Sequence, residues 1–272
     1  MKNRRTITRA MAILGSAAII AGMTQTTVAA ADDTSPARSN ETASASEYMA
    51  YLAWNAASQK PGAAEALRKF KALSPSDREK YLDYLNNPKA LEALLQEAAE
   101  GEPGTDTPTV STAAANTTAA GVTSSTPLFG GDIVIETAQE STFTPDPDEP
   151  TPAKEAQAAG GKLRKGTWES KFTASQKILG VTVTKLSVWV SYYTNGNKIT
   201  KVNFADGGKR NYNAAVALTK SIPKAWMDGS YANGSIIWEG SIVFKDFGIS
   251  IDKRQKVWAN AYGFRGGYLK NV

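Results

Sequence analysis

The chain contains neither cysteine nor histidine in its 272 residues. Without cysteine there is no disulfide to staple a small core, no thiolate to ligate a metal and no thiol nucleophile. Without histidine, Ser-His-Asp and Cys-His catalysis, histidine-ligated zinc and imidazole acid–base chemistry are excluded. Any catalysis would have to rest on carboxylates. Long apolar runs are scarce too. The uncharged stretch Met11–Met23 falls short of the roughly 20 residues needed to cross a bilayer.

That stretch has another reading. Lys2, Arg4, Arg5 and Arg9 precede it, and Ala29-Ala30-Ala31 follows it before Asp32. A basic start, an apolar middle and a small-residue cleavage site make an export signal over residues 1–31. The pair Arg4-Arg5 hints at a twin-arginine route, but the motif is incomplete and ordinary export is the simpler expectation. The protein is therefore expected outside the cell or associated with the cell wall.

Charge is divided between two halves of the remaining chain. Residues 32–161 carry 20 Asp/Glu against 9 Lys/Arg, a net of −11. Residues 162–272 carry 18 Lys/Arg against 6 Asp/Glu, a net of +12. The second value exceeds the roughly 2–8 charges usual for a small domain. Such a split implies an anionic partner, or contact between the acidic and basic halves.

Helical signals fill residues 44–100, after a polar stretch at 32–43 whose composition predicts disorder. Ser44 and Glu47 form a capping box, with Tyr48, Tyr51 and Leu52 on one face. Lys60-Pro61-Gly62 stops that helix, and Ala63, Leu67 and Phe70 share the next face. Ser74-Pro75 supplies an N-cap and a proline at the first helical position, ahead of Tyr81, Leu82 and Leu85. Asn87-Pro88 repeats the device before Leu91, Leu94, Leu95 and Ala98, and Gly101 closes the run. These signals predict four short helices in a small bundle, a pro-region or an interaction module.

Residues 101–161 hold 7 of the 12 prolines amid Thr, Ala and Gly, a composition that predicts a disordered linker. Within it, Phe129-Gly130-Gly131-Asp132-Ile133-Val134-Ile135-Glu136 reads as a strand added to the downstream sheet or a peptide that docks on a partner.

From Lys162 the pattern has a period of two. Leu186, Val188, Val190 and Tyr192 alternate with polar or aromatic neighbours, and Asn195-Gly196 is a hairpin signal leading to Ile199–Phe204. Asp206-Gly207-Gly208, Asp228-Gly229 and Asn233-Gly234 read as further turns. Ile236 to Phe244 reads as a strand interrupted at Asp246–Gly248, and Val257–Phe264 as the last strand; 212–222 fits helix or strand. The expected fold class is α+β in several parts: a small N-terminal helical bundle, a long disordered linker and a C-terminal all-β sandwich or barrel over 162–272.

Five of the six tryptophans lie in this basic region. Lysines stand near several of them, as stacking on sugars or on rings beside anions would require. Trp168, Trp226 and Trp258 are the candidate aromatic platform, while Trp238 sits on a face that reads as internal. The candidate anion-binding residues are Lys162, Arg164 and Lys165, then Lys209 and Arg210, then Lys253, Arg254 and Lys256. No cofactor, no metal and no catalytic residue is expected. The expected function is a secreted, non-enzymatic binding or effector protein. Its cationic β region would engage an anionic wall polymer, lipid or acidic protein, with the acidic half as pro-region or spacer. Export sets nucleic acid aside. The alternatives are a structural or adaptor protein of the cell envelope and, third, a glycosidase that uses carboxylates alone, with Glu169 and Glu239 beside tryptophans as its pair.

Overall fold

The structure is a computed structural model that describes residues 44–87, 89–90, 98–100, 121–144, 161–213, 216–244 and 247–272. The export signal, the polar segment 32–43, linker residues 101–120 and 145–160, and 91–97 of the expected fourth helix lie outside the described residues.

Three helices follow their local signals. α1 (Ala45–Ala57) opens on Ser44, whose Oγ accepts from the Glu47 N–H while Glu47 accepts from the Ser44 N–H at 2.7 Å. α2 (Ala63–Ala72) begins after Gly62, and α3 (Pro75–Leu85) starts at Ser74, whose Oγ accepts from Asp77 N–H at 3.1 Å. Tyr48, Phe70 and Tyr81, one from each helix, pack their rings 5.0–5.4 Å apart. Lys89 and Ala90 are helical, but Ala98–Glu100 is a short strand, β1, so the expected helix does not run on to Gly101.

The linker expectation needs a larger correction. Residues 121–144 are not unstructured: they form β2 (Gly121–Leu128), a single 3-10 turn at Phe129–Gly131 and β3 (Ile133–Thr144). Serine and threonine tolerate an extended backbone well, and the Gly130-Gly131 pair takes positive φ at the turn. Pro127 has no N–H to donate, which only an edge strand accommodates, and β2 is such an edge.

All strand pairs are antiparallel and fall into two sheets. Sheet I runs β2-β3-β4-β5-β6, with β4 Gly166–Ile178, β5 Val181–Thr194 and β6 Ile199–Asn211. Sheet II runs β1-β11-β10-β9-β7, with β8 also beside β9. Its strands are β7 Val216–Lys220, β8 Lys224–Asp228, β9 Tyr231–Phe244, β10 Phe247–Asn260 and β11 Gly263–Asn271. Within the ambiguous stretch at 212–222, Val216–Lys220 is a strand. The expected strand Val257–Phe264 is divided by a turn at Ala261–Tyr262.

Two glycine pairs read as turns lie inside strands instead: Gly207 in β6 and Gly234 in β9. They serve the contact between sheets. A Cβ on Gly207 would collide with Ile236 and sit 2.6 Å from the Ser187 carbonyl oxygen. One on Gly234 would sit 3.0 Å from Val190 Cβ. Across that contact Phe172, Val188, Val190 and Tyr192 of sheet I share one buried cluster with Ile236, Trp238, Val257 and Leu269 of sheet II. Trp238 is internal, as its face suggested.

One polar side chain crosses the core. Gln255 of β10 accepts from Trp238 Nε1–H at 2.8 Å and donates to the carbonyls of Phe172 and Leu186 at 3.3 and 3.1 Å. The helices do not form a separate body either, because their apolar cluster includes Ile133, Ile178, Val181, Val183 and Tyr212. Tyr48 Oη shares a hydrogen bond with Tyr81 Oη and donates to the Tyr212 carbonyl, and Tyr212 Oη donates to the Pro61 carbonyl at 2.6 Å. Asp132 in the β2–β3 turn accepts from Tyr84 Oη and pairs with Lys80 at 2.6 Å.

Gln255→Leu should cost about 2–4 kcal/mol, because it leaves a buried indole N–H and two carbonyls to find other partners. A urea midpoint unchanged from the parent would show that this bridge is dispensable. Because α1–α3 are held by contact, a chain nicked between residues 101 and 120 should still elute as one particle. Separation of the fragments without denaturant would contradict that docking.

Candidate functional site

The outer face of sheet II gathers side chains that lie far apart in sequence, and strand register explains how. Trp226 of β8 stands opposite Asn233 of β9, which stands opposite Trp258 of β10. One step along, Lys224, Ser235, Lys256 and Tyr268 form the next row across β8, β9, β10 and β11. The following row holds Ile237, Arg254 and Lys270. The central strand contributes the shorter side chains Asn233 and Ser235, and both are buried.

Lys256 occupies the middle of this arrangement. Its Nζ lies 5.2 Å from the centre of the Trp226 ring and 5.5 Å from that of Trp258. Burial between the indoles pushes its pKa below the ordinary lysine value; Asp228 opposes that shift and Arg254 adds to it. The Trp258 ring meets Tyr268 at 6.1 Å, and Lys270 Nζ lies 5.5 Å over Tyr268. An ammonium between aromatic faces keeps part of its charge unhydrated and available to an incoming anion. At the β10–β11 turn, exposed Tyr262 has Arg265 at 5.2 Å and Lys162 at 5.8 Å over its ring. The opposite end of the face differs in sign, since Glu239 pairs in register with Asp252.

Of the sequence-derived candidates, Trp226, Arg254 and Lys256 come together here, with Lys162 at the margin; Trp258 lies beside them but is 4% exposed and offers no free ring face to a ligand. The others do not. Trp168 is buried, donates from Nε1 to the Arg164 carbonyl at 3.0 Å and packs on Phe143, so it offers no exposed ring face. The Arg164 guanidinium stacks 3.7 Å over that same Phe143 ring. Lys165 is exposed ahead of β4. Lys209 Nζ donates to the Leu218 carbonyl, linking β6 to β7. Arg210 lies against Gly62 at the start of α2.

Lys253 is the clearest departure from expectation. It is 2% exposed and opposite Trp238, on the inner side of β10, so an external anion cannot reach it. Its neighbours Arg254 and Lys256 face outward because the strand alternates. The carboxylate pair is also separated: Glu169 is on the outer side of sheet I and Glu239 on the outer side of sheet II. Burial raises the Glu169 carboxyl above its usual range, with Lys171 opposing that shift. Among the described residues, no three His, Cys, Asp or Glu side chains cluster to hold a metal.

Tyr268, Lys270 and Arg265 were not singled out from sequence, and Lys224 only as a lysine near Trp226. Their only signal is alternation within strands, and it becomes informative once the register is known.

Trp226 and Trp258 should respond differently to truncation. Trp226, 37% exposed on a strand edge, should lose at most about 1 kcal/mol of stability as Trp226→Ala. Trp258→Ala should lose about 3 kcal/mol or more, as buried aromatics do. Equal shifts in the urea midpoint would mean that the two rings are buried alike.

Compared with known proteins, the chain matches no protein-family model, no curated protein and no solved structure.

Proposed function

We propose that the protein is an exported, non-enzymatic binding protein that engages an anionic surface through the outer face of sheet II. In this reading the two sheets are the layers of a β-sandwich, and the binding groups stand on its rigid strands. The observation that carries the proposal is Lys256 held between Trp226 and Trp258, with Arg254 and Lys270 paired one row away. Cations grouped on a fixed surface attract an extended anion without each needing to move. The exposed Trp226 ring adds apolar contact area, which salt does not screen.

The acidic half then acts as scaffold and spacer. Its strands β1–β3 complete the two sheets, and Glu136 and Glu140 pair with Lys177 and Lys171 of β4 at 2.5 and 3.4 Å. Removing that half as a pro-region would open an edge on both sheets. The basic surface left over for a partner lies on the opposite sheet.

Binding of the full chain to immobilised dextran sulfate, a polyanion without apolar groups, should weaken steeply between low and physiological salt. The triple variant Arg254→Gln, Lys256→Gln, Lys270→Gln should bind at least about tenfold more weakly while its urea midpoint stays near that of the parent. Binding that ignores salt, or a triple variant that binds as well as the parent, would sink the proposal.

A further inference from the structure

β7 and β8 are two pieces of one edge strand, and the break between them is built. Lys220 stands opposite Trp238 and Lys224 opposite Ser235. Ser221, Ile222 and Pro223 therefore span what Ile237 and Ile236 span on β9. Ser221 keeps the ladder going: its N–H donates to the Ile237 carbonyl at 2.9 Å, and its Oγ accepts from Ile237 N–H at 3.0 Å. One residue is surplus, the arrangement of a β-bulge, which re-aims the side chains beside it. Pro223 has no N–H for the ladder and holds φ near one value. The upstream piece is tied down by Lys220, which pairs with Asp206 at 2.7 Å and donates to the Gly207 carbonyl at 3.1 Å.

The bulge leaves Ile222 86% exposed. Within the next five residues Met227 is 49% and Trp226 37% exposed, and every residue of β8 is exposed. An aliphatic, a thioether and an indole side chain are thus exposed along one sheet edge, with Met227 opposite Ala232 on the other side of β8 from Trp226 and Lys224, and with Lys256 against the indole. Apolar groups held outward in this way mark a contact site.

The chemistry of the edge selects among occupants. A peptide strand added here would need a continuous row of backbone donors and acceptors, which the bulge and Pro223 interrupt. A sugar polymer stacks on flat rings and hydrogen-bonds to polar groups, and neither Ile222 nor Met227 supplies these. A lipid bilayer takes aliphatic tips into its acyl boundary, holds tryptophan at the headgroup level and pairs lysine with anionic headgroups.

We propose that the β7–β8 edge is a membrane-docking site for anionic lipid. Ile222 and Met227 enter the acyl boundary, Trp226 lies at the interface, and Lys224 and Lys256 meet headgroup phosphates. This rests on the anionic-surface reading and names lipid as the surface.

The test uses the full chain, vesicles of phosphatidylcholine alone, vesicles with a minority of phosphatidylglycerol, and dextran sulfate as the lipid-free polyanion. Cosedimentation and tryptophan emission report binding. The chain should prefer the anionic vesicles, with a blue shift of its emission on binding. The double variant Ile222→Ser, Met227→Ser should lose about tenfold or more in vesicle affinity and keep its dextran sulfate binding. Both side chains are exposed, so its urea midpoint should match that of the parent. A double variant that binds vesicles like the parent would overturn the lipid site, as would equal loss of both ligands, or dextran sulfate binding without vesicle binding. In each of these cases the anionic-surface reading survives. Failure to bind either vesicles or dextran sulfate would overturn both.

Discussion

The two sheets approach so closely that side chains are missing where backbones meet, and this contact governs the rest of the molecule. Gly207 of sheet I leaves room for Ile236 of sheet II, and Gly234 of sheet II for Val190 and the Trp189 carbonyl of sheet I. Gln255 then spans the gap and joins an indole of sheet II to two backbone carbonyls of sheet I. An apolar contact alone would allow the sheets to slide by a residue, but a three-way hydrogen bond in a dry core permits only one register. With no disulfide available, this bridge and the close packing around it take over the task of holding two layers together.

Fixing the inner face also fixes the outer one. In a strand the two sides are bound by strict alternation, so placing Gln255 and Val257 inward obliges Arg254, Lys256 and Trp258 to point outward. The aromatic and cationic rows on sheet II are therefore a by-product of core register. Lys253 shows the same rule from the other side. It belongs to a basic cluster in sequence, yet its parity sends it inward beside Trp238. A run of positive charge says little about accessibility until each residue is assigned a side.

What could be read directly from sequence was local. The Ser44 capping box, the Ser74-Pro75 start and the Asn195-Gly196 turn depend on residues within four positions of one another, and all three form. The misread features depend on distant partners. Asp206-Gly207-Gly208 and Asn233-Gly234 have turn composition, but their glycines answer to the opposing sheet. Residues 121–144 have linker composition outside Phe129–Glu136, which could be read as an added strand, but β3 pairs along its whole length with β4 and β2 pairs with β3. Of the candidate site, only the members of β8 and β10 were foreseeable. Tyr268 and Lys270 join them through cross-strand pairing.

The helices and β1 have a consequence for the order in which the molecule can be made. Tyr48 donates to the Tyr212 carbonyl, 164 residues further along the chain, and Ala98 pairs with Leu269. The first elements to be synthesised thus find their partners only after nearly all the others exist. Contacts of such long range close slowly, because a large loop must be ordered before any of them is gained. In a nascent chain the docking of α1 on Tyr212 and the pairing of β1 with β11 therefore come late, after the consecutive strand pairs of sheet I are all available.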